Sequence, residues 1–165
     1  MLYRIGQSRF VPADRRTIFS RGIAAGLDGD LLLFTHLIIP QIENSVRMLV
    51  GAAGGKTTSY RDGLMKERDL NQLLTEKDPG IDGDAALGED LLWELRALLV
   101  EQSGPNLRNR ICHGLATIDE CGSSSAMYLV WLTLFLLAHF AQENKSNTEA
   151  EGPAKSAGQP VSSEV

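Results

Sequence analysis

Apolar residues recur at three- and four-residue steps along most of this chain, and those steps divide it into helices. The stripe Leu31, Phe34, Ile38, Ile42, Val46 and Leu49 marks one buried face of a long helix, capped by Asp30 and running to about Val50. Pro40 falls inside it and displaces the bond to the carbonyl of His36, so the expectation is a kink rather than a stop. Residues 1–12 read as extended or irregular up to Pro12, and Asp14 is placed to cap a helix to about Gly26 with Ile18, Ala25 and Leu27 as its apolar content. The run GLDGD then makes a turn. Leu70, Leu73 and Leu74 face inward from a short helix over about 65–76. Leu91, Leu92, Leu95, Leu98 and Leu99 do so from one over about 89–102, whose leading acids suit the helix dipole. Gly104 and Pro105 open another helix, which Gly114 closes or lets bend, with Leu107, Ile111 and Leu115 as its stripe. The last, over about 125–141, is apolar all round.

Between these stretches lie two loops. Residues 51–63 (GAAGGKTTSYRDG) form a mobile basic loop; Gly55-Lys56-Thr57 resembles the end of a phosphate-binding loop, but Gly51 and Gly55 have three residues between them rather than four, and no strand precedes. Residues 77–88 (KDPGIDGDAALG) lack the Asp/Asn alternation and the closing Glu of a calcium loop. No strand-like alternation of any length occurs, and there is no internal repeat. The expected fold is an all-α bundle of about five to six helices over residues 1–141, followed by a disordered tail over 142–165 rich in Glu, Ser, Pro, Gly and Ala.

Charge changes this picture little. The net charge of −5 argues against a protein that coats nucleic acid by charge alone. Residues 1–21, with five Arg against Asp14, are nonetheless locally basic. Cys112 and Cys121 are too few for a disulfide framework and lack metal-ligand spacing, so they read as reduced thiols in a cytoplasmic protein. MLYRIGQSRF has no apolar core of a signal peptide. The apolar run near 125–141 falls short of the roughly 18 residues that mark a membrane span, which favours a core or dimer helix over membrane insertion.

One group of side chains carries candidate chemistry. Arg108, Asn109 and His113 lie on the helix that the Leu107/Ile111 stripe anchors. On an ideal helix Asn109 and His113 are only ~40° apart, and Arg108 lies ~7.5 Å from His113 along the axis, within reach of its long side chain. An imidazole moves protons near neutrality, and a guanidinium matches phosphate oxygens with its planar fork. Together they suit phosphodiester cleavage on RNA without a metal or other cofactor. His113 would act on the 2′-hydroxyl or the leaving oxygen, Arg108 would stabilise the phosphorane, and Asn109 would orient the imidazole or the substrate. The same residues also admit a purely structural account. A His before a Gly is an ordinary helix C-terminus, Arg108 can pair with Glu94 or Glu101, and Asn109 can bond nearby backbone. Glu43 and Arg47, four apart with the acid first, are either a surface pair or project beside this group.

The run NLRNRICHGL, with RNxxxHG at Arg108, Asn109, His113 and Gly114, resembles the motif of a family catalogued only as a domain of unknown function and similar to the HEPN superfamily. HLIIPQIENSVRMLV, LNQLL and GEDLLWELRALLVEQSGPNLRN extend the resemblance over most of residues 10–140. It implies an all-α bundle that dimerises and a metal-independent endoribonuclease. Arg108 would bind the phosphate, Asn109 would orient, and His113 would serve as general acid/base. Glu43 and Arg47 match positions in that family's upstream helix, a weaker substrate-side assignment. The resemblance also admits a non-cleaving module that binds RNA or a protein partner. Arg110 lies outside the proposed site.

Overall fold

A computed structural model of the chain describes residues 7–61, 63–75 and 86–150. Its frame is a pair of helices, α1 (Arg16–Leu27) and α2 (Leu31–Ala52), folded against each other across the turn at Gly29, whose φ of 85° suits glycine. The Leu33 amide donates to the Asp30 carboxylate at 3.0 Å, so Asp30 is the expected cap. All six residues of the anticipated stripe are buried, and α2 continues through Pro40 without stopping. A glycine pair brings α1 close. A Cβ at Gly22 would stand 2.6 Å from the Ile38 side chain, and one at Gly26 would stand 2.8 Å from the Phe34 ring.

Four sequence expectations are corrected here. Asp14 does not cap α1: a 3₁₀ turn, Ala13–Arg15, intervenes after Pro12, and Asp14 pairs with Arg15 at 3.1 Å. The buried face of α1 is Phe19, Gly22, Ile23, Ala25 and Gly26, whereas Leu27 is exposed. Residues 58–67, expected as loop and helix start, are a hairpin. Strand β1 (Thr58–Arg61) pairs antiparallel with β2 (Leu64–Glu67), with Arg61 opposite Leu64. The short helix therefore begins later, as α3 (Leu70–Thr75), where Asp69 and Gln72 exchange backbone-to-side-chain bonds of 2.9 and 3.2 Å. Helix α4 (Glu89–Leu99) ends before Gln102 because Val100 leaves helical geometry, with φ −129°.

Helix α5 (Leu107–Cys112) and the single turn α6 (Ile118–Cys121) lead to the long α7 (Ser124–Ala150). The inner face of α7 (Ala126, Leu129, Leu132, Thr133, Leu136, Phe140) is buried in the core, where Phe10 stacks on Phe140 and meets Phe19 edge-on. Its outer face exposes Met127, Tyr128, Trp131 and Phe135, the last three with rings stacked in series. By length and composition the segment Ile118–Ala141, which holds an 18-residue window of mean hydropathy 1.6, is apolar enough to cross a membrane, longer than the run read from sequence. Of that window, 44% is buried inside the molecule. The described residues thus form an all-α bundle with one small hairpin added. The loop over 77–88 lies mostly, and the tail over 142–165 in larger part, outside the described residues.

Candidate functional site

Three local devices hold α5 in place. Leu107 and Ile111 are buried. Gly104 runs so close to α4 that an added Cβ would sit 2.5 Å from the Ala97 carbonyl oxygen. Asn106, not Pro105, is the residue before the helix, and it turns the chain with a left-handed φ of 50°, a conformation Asn tolerates better than most side chains. At the other end His113 is the C-cap, its amide bonded to the Asn109 carbonyl at 3.1 Å, and Gly114 at φ 68° ends the helix as expected. That reversal turns Leu115 outward, so it does not join the buried stripe.

Glu43 of α2 meets Arg108 of α5 across 65 residues of sequence. The Arg108 Nε donates to Glu43 Oε2 at 2.8 Å, and a terminal nitrogen donates to Oε1 at 3.3 Å. Both side chains are nearly buried, at 13% and 14% exposure. Arg47 donates to the same Glu43 Oε1 at 3.0 Å and to the Arg68 carbonyl at 3.0 Å, and its Nε lies 3.5 Å from Glu67. The second terminal nitrogen of Arg108 donates to the Asn109 amide oxygen at 2.9 Å, and the Asn109 amide nitrogen donates to Asn106 Oδ1 at 2.7 Å. The structure thus gathers Glu43, Arg47, Arg108 and Asn109 into one hydrogen-bonded group. The carboxylate anchors the guanidinium edge-on by two parallel bonds, the geometry that fixes orientation most firmly.

Electrostatics follow from this packing. Burial acts to lower the Arg108 pKa, but the hydrogen bonds and charge attraction of Glu43 outweigh it and hold the guanidinium above its ordinary value. Burial pushes the neighbouring Cys112 thiol up, Glu43 adds to that, and Arg108 opposes it. Cys112 is therefore a poor thiolate at neutral pH.

His113 is not part of the network. Its imidazole is exposed and makes no hydrogen bond among the described residues. Asn109 makes no hydrogen bond to the imidazole; its amide oxygen accepts from Arg108 and its amide nitrogen donates to Asn106. The alternative partners expected for Arg108 are also excluded, because Glu94 accepts from the Tyr128 hydroxyl at 3.0 Å and Glu101 lies 3.8 Å from Arg96. Arg110 points elsewhere: it donates to the Leu115 carbonyl at 3.1 Å and to Glu120 at 2.9 Å, which fastens α6 to α5.

Two participants were not read from sequence. Asn106 was legible as an Asn after Gly-Pro, where a turn admits positive φ. The Arg68 carbonyl carries no side-chain signal at all. Arg108 keeps two of its five N–H groups uncommitted by the bonds above, one on each terminal nitrogen, so it can still hold a phosphate oxygen. Among the described residues no group of three or more His, Cys, Asp and Glu side chains is arranged to hold a metal ion. Compared with known protein families, curated proteins and solved structures, the chain matches none.

Proposed function

We propose that this chain is a metal-independent endoribonuclease of HEPN type. The observation that carries the reading is the pairing of a fixed cation with an open base. Arg108 is locked by Glu43 and Asn109 with two N–H groups to spare, and His113, at the end of the same short helix, is exposed and unengaged. The 2′-hydroxyl of RNA attacks the adjacent phosphorus, the 5′-oxygen leaves, and a 2′,3′-cyclic phosphate forms. His113 takes the hydroxyl proton or gives one to the leaving oxygen, and water completes the other transfer. The spare N–H groups of Arg108 bind a non-bridging oxygen as charge builds on the phosphorane. Glu43 and Arg47 act here as positioning residues, not as substrate contacts. A homodimer sets two α5 helices across one RNA groove. The exposed apolar face of α7 (Met127, Tyr128, Trp131, Phe135) is the surface with which a second copy packs, because a stripe of this kind on a monomer calls for a partner.

The test is incubation of purified protein with labelled single-stranded RNA in chelator. Cleavage is expected for the wild type, with loss in both Arg108→Ala and His113→Ala variants that remain folded. Equal cleavage in the variants overturns the assignment. A DNA strand of the same sequence stays intact, for want of a 2′-hydroxyl.

One observation favours a second reading, a non-catalytic RNA- or protein-binding module. Glu43 neutralises Arg108 and takes two of its donors, as a structural ion pair would. On this reading no RNA is cut, and Arg108→Ala lowers melting temperature or dimer affinity while His113→Ala changes neither. Membrane association of Ile118–Ala141 is checked by vesicle flotation, in which the soluble, cytoplasmic reading keeps all protein in the bottom fraction.

A further inference from the structure

The hairpin is the least explained part of the fold. All four residues of β2 are exposed, and Tyr60 (77%), Met65 (73%) and Leu64 (60%) present large apolar groups to solvent. Two strands alone are marginal in water. Among the described residues this pair is fastened at its base. The Arg68 amide donates to the Thr57 carbonyl at 2.9 Å, and Arg47 grips the Arg68 carbonyl and approaches Glu67. Arg47 is also the residue that shares Glu43 with Arg108. The hairpin therefore stands directly on the candidate site, coupled to it through one guanidinium.

Its surface chemistry differs from that of the chain as a whole. Among the described exposed side chains of residues 55–68, Lys56 and Lys66 stand against Glu67, two minus one, or +1, whereas the whole chain carries −5. The register sets Tyr60 opposite Met65, so ring and thioether share one face, while Lys66 leaves from the other face opposite Ser59. The strands are only about 5 Å apart, so a polymer lying along the hairpin edge reaches the Tyr60 ring on one side and the Lys66 ammonium on the other. An exposed ring on one face and positive charge on the other, a strand's width apart, can hold the unpaired bases and the phosphates of a strand that follows the edge.

We infer that the hairpin Thr58–Glu67 is an arm for single-stranded RNA. Tyr60 stacks a base on one face, Lys66 contacts a phosphate across the hairpin edge, and the strand is led toward Arg108 and His113. The inference rests on the RNA reading of the site but not on cleavage.

It is tested with the full chain in chelator, by fluorescence anisotropy of a labelled oligouridine of about 12 nucleotides, a length that spans an ordinary single-strand site. The Tyr60→Ala/Lys66→Ala double variant is expected to raise Kd about tenfold or more. Tyr60→Phe, which keeps the ring, is expected to hold the wild-type Kd. Lys66→Ala alone should reduce the slope of log K against log salt by about one contact. Both side chains are exposed, so the melting temperature stays at the wild-type value. Hairpin-dependent binding without cleavage supports the arm while the ribonuclease reading fails. Cleavage with an unchanged Kd in the double variant overturns the arm and leaves that reading standing. A wild-type chain that binds no oligouridine overturns the arm as well.

Discussion

Removing either partner of the Glu43–Arg108 pair should destabilise the fold far more than breaking a surface salt bridge, and the two losses should not add. The side chains are 14% and 13% exposed and are joined by two hydrogen bonds, so Glu43→Ala leaves nearly buried cations without their carboxylate, and Arg108→Ala leaves Glu43 with Arg47 as its one remaining cation. One-sided loss of a buried pair costs about 3–5 kcal/mol, and residual exposure together with the remaining Arg47 bond places Arg108→Ala at the foot of that range, about 3 kcal/mol. Glu43→Ala strands two guanidinium groups, since Arg47 lies 3.0 Å from the same carboxylate, and is expected at about 4 kcal/mol. The double variant should then cost about 5 kcal/mol, leaving a coupling of roughly 2 kcal/mol. At about 3 °C per kcal/mol for a domain of this size, Arg108→Ala lowers Tm by roughly 10 °C. Urea unfolding of the four proteins, followed by circular dichroism, gives each free energy. Additivity within about 0.5 kcal/mol would refute the reasoning, because it is what an exposed or unformed pair gives.

Other consequences follow from particular contacts. Gly22→Ala places a Cβ 2.6 Å from Ile38 at the α1–α2 crossing and should cost about 1–3 kcal/mol by thermal melting. Gly104→Ala should be harder to absorb, because its Cβ would meet the Ala97 carbonyl oxygen, backbone that cannot swing aside; a melting temperature no lower than that of Gly22→Ala would contradict this. The Arg110 hydrogen bond, then the Thr117 amide, hold the Glu120 carboxyl below its ordinary value. A carboxyl depressed in the folded state contributes stability above its unfolded pKa and loses it as pH falls through the folded one. Glu120→Gln should therefore lower Tm at neutral pH, with the difference from wild type closing as pH falls through the folded pKa, so that the acid limb of a Tm-against-pH profile flattens.

The long stripe of α2 and its Asp30 cap were legible because both are local: periodicity and a cap are written in consecutive residues. So was the end of α5 at Gly114. The hairpin was not, since TSYR and LMKE are too short for alternation to stand out. Asp62-Gly63 between them is nonetheless a dipeptide favoured in two-residue hairpin loops, and Gly63 takes the φ of 77° such loops require. Tertiary pairing explains the remaining differences. Spacing could place Glu43 and Arg47 on one helix face but not decide that Arg108, 65 residues on, would complete a two-pronged bond with Glu43. It also could not show that Asn109 serves Arg108 rather than His113, because that depends on the left-handed turn at Asn106.

The central claim is that a fixed Arg108 and an open His113 cleave RNA together. Its most direct measurement is the rate at which wild type, Arg108→Ala and His113→Ala cut a labelled single-stranded RNA in chelator, with the products resolved by end-group chemistry. The expected result is wild-type cleavage leaving 2′,3′-cyclic phosphate ends, with a loss of at least about a hundredfold in His113→Ala, the scale of a missing general acid/base. Undiminished cleavage in a folded His113→Ala protein, or no cleavage by the wild type, would contradict it.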